Sequence, residues 1–372
     1  MALRLKLLIN KWKRFHKSEV EVAQNGSGGK HAREATILDI AERAGVGKAT
    51  VSRALNGSGY VGADARRRIE EAVNALGYTP SAAARALSTR QTSLVGLVIP
   101  EVSNPFFAEI ILGISQVVEQ NNLVLMLSNT DNRARTDHKV LETMCQQRLR
   151  GLIYTPAVEY DEIGERERMI RLLDRMGAPV VILDRPLPDA PFDEVCTDNH
   201  TGAYLSAKAL IEAGHRRIGI VAGDMRLNIG RERFEGFRQA LADCGIELRE
   251  QDVLYGEFDQ NRTYALTRAM LETGDYPTAF FVSNNLSSKG FIRAMFEKGV
   301  RIPEDIAYIG FDRVDGLDLF GLQYSCLDRD VPRMGAMAMR LLLERIDDPG
   351  KPRERIVASP VLRLTGSEKR WR

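Results

Sequence analysis

Ile37-Leu38-Asp39-Ile40-Ala41-Glu42-Arg43-Ala44-Gly45-Val46-Gly47-Lys48-Ala49-Thr50-Val51-Ser52-Arg53-Ala54-Leu55-Asn56 reads as two short helices either side of a glycine-marked turn. Thr36 is placed to cap a first helix over Ile37–Ala44, with Ile37, Ile40, Ala41 and Ala44 on one apolar face. Gly45-Val46-Gly47 breaks that helix, a second follows over residues 48–55, and Asn56-Gly57-Ser58-Gly59 stops it. Ala41 is small where the helices cross, Gly45 permits the tight turn, and Val51 closes the little core. This is helix-turn-helix spacing, in which the second helix enters a major groove with its first residues facing base edges. Lys48, Ala49 and Arg53 are the candidates for base readout, arginine being able to fork onto guanine. Thr50 and Ser52 suit phosphate oxygens. A third helix is expected over Ala63–Leu76, and Gly77-Tyr78-Thr79-Pro80 ends the bundle.

Charge supports the same division of labour. Of the 372 residues, 1–92 hold 16 Lys/Arg against 8 Asp/Glu, whereas the rest hold 36 against 42. A basic module for a polyanion joined to a mildly acidic body accounts for that split. The 44% hydrophobic and 27% charged composition is that of a globular chain. No apolar run approaches the ~20 residues needed to cross a bilayer, so no membrane partner is expected. Cys145, Cys196, Cys244 and Cys326 are far apart and form no CxxC pair. They suit buried thiols in a reducing compartment, so a cytoplasmic location without metal or cofactor is expected. Residues 1–34 read as a disordered basic extension ending in a Gly/Ser/Asn linker.

Beyond residue 93 the rhythm turns to strand, then helix, repeatedly. Strands are expected over Leu94–Ile99, 123–127, Gly151–Tyr154, Val180–Leu183, Ile218–Ala222, Ala279–Val282 and 307–311, with helices such as 106–119, 204–213 and 233–242 between them. Continuous apolar strands alternating with helices imply parallel sheets covered on both faces. About 280 residues is too many for one such sheet, so two doubly wound lobes are expected, with a ligand in the cleft between them.

Residues 36–56 closely resemble the DNA-binding head of the lactose-repressor (LacI/GalR) family of transcription regulators. Gly77-Tyr78-Thr79-Pro80-Ser81-Ala82-Ala83-Ala84-Arg85-Ala86-Leu87 looks like that family's hinge segment. Val102-Ser103-Asn104-Pro105-Phe106-Phe107, Ile182-Leu183-Asp184-Arg185, Gly214-His215-Arg216-Arg217-Ile218, Arg233-Phe234-Glu235-Gly236-Phe237 and Ile309-Gly310-Phe311-Asp312 match family blocks in order. The resemblance implies an all-α helix-turn-helix DNA-binding head (35–80), a hinge helix and linker (81–92), and an α/β two-lobed, periplasmic-binding-protein-like domain for effector binding and dimerisation (93–372). It adds Thr36, Asn56, Tyr78, Arg85 and Leu87 to the DNA contacts, with Leu87 wedging into the minor groove. For the effector it implies Phe106, Phe107, Asp184, Arg233, Asn284, Asp312 and, beside a position that often carries an aromatic, Arg329.

Some positions depart from the family pattern: Gly47 stands for a Ser or Thr cap, Ser81 for an Asn, Asn285 for an Asp and Val331 for an aromatic. Arg185, Arg233 and Arg329 together predict a cleft of positive character, which would suit a phosphorylated or acidic sugar. The expectation is a repressor of carbohydrate genes that binds pseudo-palindromic double-stranded operator DNA as a homodimer, controlled by a sugar or sugar-phosphate. The tail 366–372 lacks leucine heptads, so no tetramerising coiled coil is expected. A solute-uptake receptor would share the lobes but not residues 36–90, and no GxSxG, HExxH, GxGxxG or P-loop stands in a setting that suggests an enzyme.

Overall fold

The computed structural model describes residues 35–56, 59–78, 92–160 and 162–370. The expected N-terminal extension (1–34) and, apart from Thr92, the hinge (81–92), with Ser81, Arg85 and Leu87, lie outside the described residues. The chain divides into two compact units, Met1–Arg90 and Gln91–Arg372.

In the first unit, α1 (Ile37–Ala44), α2 (Lys48–Asn56) and α3 (Ala63–Leu76) enclose a small core of Ile40, Ala41, Ala44, Val51, Val61, Ile69 and Ala72. Local chemistry sets the ends of α1. The Thr36 amide donates to Asp39 Oδ2 at 2.7 Å while Thr36 Oγ1 accepts from the Asp39 amide at 3.4 Å, a reciprocal cap. Gly45 ends the helix at φ 64°, a left-handed conformation that favours glycine. The Gly47 carbonyl then accepts from the amides of Thr50 and Val51 at 2.9 and 3.2 Å, so α2 starts without a side-chain cap from residue 47.

The second unit holds two lobes, each on a six-stranded sheet. The first lobe contains β1 (Leu94–Ile99), α4 (Pro105–Gln120), β2 (Val124–Asn129), α5 (Ala134–Gln146), β3 (Gly151–Tyr154), α6 (Ile163–Asp174), β4 (Val180–Leu183) and β5 (Asp193–Thr197). The second contains α7 (Asn199–Glu212), β6 (Ile218–Ala222), α8 (Asn228–Asp243), β7 (Val253–Tyr255), α9 (Gln260–Thr273), β8 (Ala279–Val282), α10 (Asn285–Glu297), β9 (Ala307–Gly310) and β10 (Cys326–Asp328). The chain then returns to the first lobe as α11 (Val331–Asp347) and β11 (Arg355–Ala358), and ends in the second with β12 (Val361–Arg363). Sheet orders are β11-β5-β4-β3-β1-β2 and β12-β10-β9-β8-β6-β7, parallel throughout except where β12 runs against β10. The second strand lies at residues 124–129 and the ninth stops at Gly310, small shifts from the expected 123–127 and 307–311.

This topology decides where a site forms. The chain crosses between lobes at residue 198, at residues 329–330 and at residues 359–360, each crossing only one or two residues long. In each sheet strand order reverses beside the first strand, between β1 and β3 and between β6 and β8. The loops leaving the carboxyl ends of those strands diverge there and leave a crevice. In the first lobe α4 and α11 pack closely: a Cβ on Gly113 of α4 would lie 1.8 Å from the Pro332 carbonyl oxygen of α11, so only glycine permits that crossing.

Candidate effector cleft and DNA-reading helix

On α2, Ala49, Ser52, Arg53 and Asn56 recur at helical spacing while Val51 points into the core. Lys48, Ala49 and Arg53 are exposed; Thr50 and Ser52 are half-buried. Thr36 Oγ1 bonds to Asp39, so its hydroxyl serves the α1 cap. Tyr78 is half-buried against the head core, and its amide donates to the Val73 carbonyl at 3.1 Å.

In the second unit, a cavity of about 550 Å³ lies between the lobes. Its walls come from the carboxyl ends of strands: Glu101 and Asn104 after β1, Ala157 to Glu159 after β3, Asp184 and Arg185 after β4, Asp224 after β6, Phe258 after β7, Asn284 after β8, Asp312 after β9 and Arg329 after β10. All seven residues expected to hold an effector line this one cavity. Phe106 and Phe107 stand in the first turn of α4 with ring centroids 5.0 Å apart, edge to face, and both also pack into the first lobe's core. Asn284 caps α10, its Oδ1 accepting from the Ser287 amide at 2.8 Å, which fixes the side chain at the cavity wall.

Two arginines organise the floor. Arg233 is buried; its Nε donates to Asn199 Oδ1 at 2.9 Å and its Nη1 to the Ser283 carbonyl at 2.6 Å. Burial, with the neighbouring Arg329 charge, pulls its pKa down to about 10. Arg329 sits on the second crossing between lobes. Its Nε and Nη2 both donate to Asp312 Oδ1, at 2.9 and 2.6 Å, and its Nη1 donates to Thr197 Oγ1 and lies 3.9 Å from Asp184 Oδ1. The Phe311 ring lies 3.6 Å from the Arg233 guanidinium carbon and 5.3 Å from that of Arg329, offering each cation a π face. Asp184 holds φ 64°, a left-handed conformation that a non-glycine residue keeps only where its surroundings impose it.

The expected positive character of the cleft is offset by acidic side chains. Seven carboxylates line the cavity against four guanidinium groups. Arg329 is neutralised by Asp312 and Asp184, Arg226 pairs with Asp224 at 2.8 Å, and Arg185 spends its Nη1 on the carbonyls of Pro156 and Ala157. The sequence shows these arginines and carboxylates but not the pairing of Arg329 with Asp312 and Asp184, which lie 17 and 145 positions away.

Residues 36–81 match the bacterial regulatory proteins, lacI family, and residues 92–346 match the periplasmic binding proteins and sugar binding domain of LacI family. The chain belongs to the LacI family. It is 30% identical over 333 residues to the ribose operon repressor of Haemophilus influenzae, covering 90% of this chain and 98% of that one. It is 32% identical over 336 residues to the transcriptional repressor PurR of Pasteurella multocida, covering 90% and 99%. A solved LacI-family regulator of Enterococcus faecium with bound ribose superposes with a TM-score of 0.64 at 28% identity, over 73% of this chain and 96% of that one. The chain is a DNA-binding transcriptional repressor of this family, which is one of regulators and not of enzymes.

Phe258 of this LacI-family chain lines the cavity without a sequence signal of its own. It follows β7 at φ 60°, and its ring lies where a Cβ on Gly223 would come within 2.2 Å of it. Its placement depends on a glycine 35 positions away, which no local pattern reveals. Asn104 joins the two lobes: its Oδ1 accepts from the Phe106 amide and from Asn285 Nδ2, both at 3.1 Å. The Asn-Pro pair ahead of an apolar run was its local signal.

Proposed function

We propose that this regulator binds a pseudo-palindromic operator as a homodimer in the cytoplasm and is controlled by a neutral sugar of about ribose size held between the lobes. The observation that carries the reading is the convergence of Asp184, Arg233, Asn284 and Asp312 from both lobes on one cavity walled by Phe106, Phe107 and Phe258. Carboxylate and amide oxygens accept from sugar hydroxyls, guanidinium and amide N–H groups donate to them, and phenyl faces cover the apolar side of a ring. Asp312 engages Arg329 and Asp224 engages Arg226, which leaves these guanidinium groups less available to a phosphate. The relatives named for ribose supply the size class.

In this reading α2 enters the major groove, Lys48, Ala49 and Arg53 reach base edges, and Thr50 and Ser52 touch phosphates, with Thr36, Asn56, Tyr78, Arg85 and Leu87 completing the contacts. One such head reads one half-site, which calls for two copies. The edge strand β2 exposes Val124 and Leu127 and α4 exposes Leu112, apolar surface available for that pairing. Fluorescence anisotropy tests the proposal: a palindromic duplex at fixed salt should bind on the order of a thousandfold tighter than a scrambled one. D-ribose should shift that binding and D-ribose 5-phosphate should not; the reverse order would overturn the neutral-sugar assignment.

A further inference from the structure

The cavity has a charged bridge across one side that belongs to neither the sugar subsites nor the crossings between lobes. Arg231 Nη2 of α8, in the second lobe, lies 2.7 Å from both carboxylate oxygens of Glu159, which follows β3 in the first. Glu159 is nearly buried and lines the cavity, whereas Arg231 is partly exposed.

Both ends of the bridge are anchored. Arg231 Nη1 donates to the carbonyls of Met225 and Arg226, each at 3.1 Å, which ties the guanidinium to its own lobe. On the other side, the fully buried Asp137 gathers three donors on Oδ2: the Tyr154 hydroxyl at 2.6 Å, the Ala157 amide at 3.0 Å and the Tyr160 hydroxyl at 2.7 Å. Arg185 Nη1 donates to the Ala157 carbonyl at 2.7 Å. The segment carrying Glu159 is thus fastened on both sides of that residue, and Arg231 meets a carboxylate held in place.

We propose that Glu159 and Arg231 form a latch between the lobes that sets how long an effector stays in the cavity, with Asp137 as the positioning residue for its first-lobe half. The latch rests on the reading of the cavity as an effector site. Its logic lies in α8: Arg233 of that helix reaches into the cavity two residues from Arg231, so lobe opening that withdraws Arg233 also breaks the bridge. Arg329, which also links the lobes, sits on a crossing of the chain itself and reaches Asp184 only at 3.9 Å; two further contacts lie away from the crossings. Asn285 to Asn104 is a neutral hydrogen bond, and Arg313 stands 3.7 Å from Glu109 with its side chain 62% exposed. A charge-assisted contact with one nearly buried partner resists solvent better than either.

The test uses the full chain as wild type, Glu159→Gln, Arg231→Gln and the double variant. Hydrogen exchange of ligand-free protein is read at residues 155–160 and 225–231, and D-ribose association and dissociation are followed by stopped flow. Each single variant should speed exchange in both segments, including the one in the unsubstituted lobe. Each should raise the D-ribose dissociation rate about tenfold with association changed less than twofold, and the double should do no more than either single. Asp137→Asn should mimic Glu159→Gln and add nothing to it. Faster exchange confined to the substituted lobe, or single effects that add in the double, would overturn the latch. If wild-type protein takes up no D-ribose, the sugar assignment fails while the exchange measurement still decides the latch.

Discussion

Nη2 of Arg329 lies 2.6 Å from Oδ1 of Asp312, and this pair ties the second crossing between the lobes to the segment that follows β9. Asp184 approaches the same guanidinium at 3.9 Å, so one cation stands between two carboxylates in a nearly closed space. Removing it leaves those carboxylates unpaired. Arg329→Gln should lower unfolding stability by about 3–5 kcal/mol in urea denaturation, the usual cost of breaking a buried pair. Adding Asp312→Asn should restore a large part of that loss. Equal destabilisation in both variants would show that the pair is not coupled.

Two glycines give opposite expectations. At Gly113 a Cβ meets the Pro332 carbonyl oxygen at 1.8 Å, a backbone atom with little room to give. Gly113→Ala should therefore destabilise the two-lobed unit by about 1–3 kcal/mol or more. At Gly47 nothing stands within 4 Å of a Cβ, and the residue immediately precedes α2. Gly47→Ser should stabilise the head by a few tenths of a kcal/mol by adding a side-chain cap. Calorimetry that resolves the two units reads both effects.

The buried His215 ring sets a pH limit. Its Nδ1 lies 2.9 Å from Thr278 Oγ1 and its Nε2 lies 3.2 Å from the Glu368 carbonyl oxygen, pinning the C-terminal segment. Burial pushes its pKa below the ordinary 6.5, with backbone bonding to Glu368 opposing and the Arg370 charge assisting. The folded state therefore favours the neutral ring. The stability this contributes is present above pH 6.5 and is lost as pH falls through the lower folded value. Wild-type melting temperature should drop between pH 7 and pH 5, and His215→Gln should flatten that slope; an unchanged slope would assign the acid sensitivity elsewhere.

Much of the architecture is legible before the structure. α1 and α3 fall at their expected limits because Thr36, Gly45 and Gly77 punctuate the chain locally. Strands such as Val180–Leu183 and Ala279–Val282 stand out as apolar runs because both sheet faces are covered. Asp193–Thr197 does not stand out, since its polar residues find partners far along the chain: Asp193 with Arg345 and Glu194 with Arg353, at 2.8 and 2.7 Å. The same limit governs the cleft. Asp184, Arg233 and Asp312 come from sequence blocks that resemble the family, whereas Phe258, the bridge from Glu159 to Arg231 and the acidic neutralisation of Arg329 depend on long-range pairing.

For the DNA-reading helix, Arg53→Ala should cost about 1–3 kcal/mol on the preferred duplex and relax selectivity at one base pair. Thr50→Ala should weaken all duplexes to a similar extent. Binding to a panel of single-base operator variants separates the two. Loss of selectivity on Thr50→Ala, with none on Arg53→Ala, would place the helix in another orientation.

In the proposed function sugar in the cleft is coupled to operator at the head, and thermodynamic linkage makes that coupling reciprocal. The most direct measurement is calorimetric titration of D-ribose into the free protein and into its complex with the palindromic duplex, at one salt concentration. The ratio of the two sugar affinities should equal the ratio by which saturating D-ribose changes operator affinity, about 5–150-fold for an ordinary allosteric coupling. Equal sugar affinity for free and operator-bound protein would contradict the account.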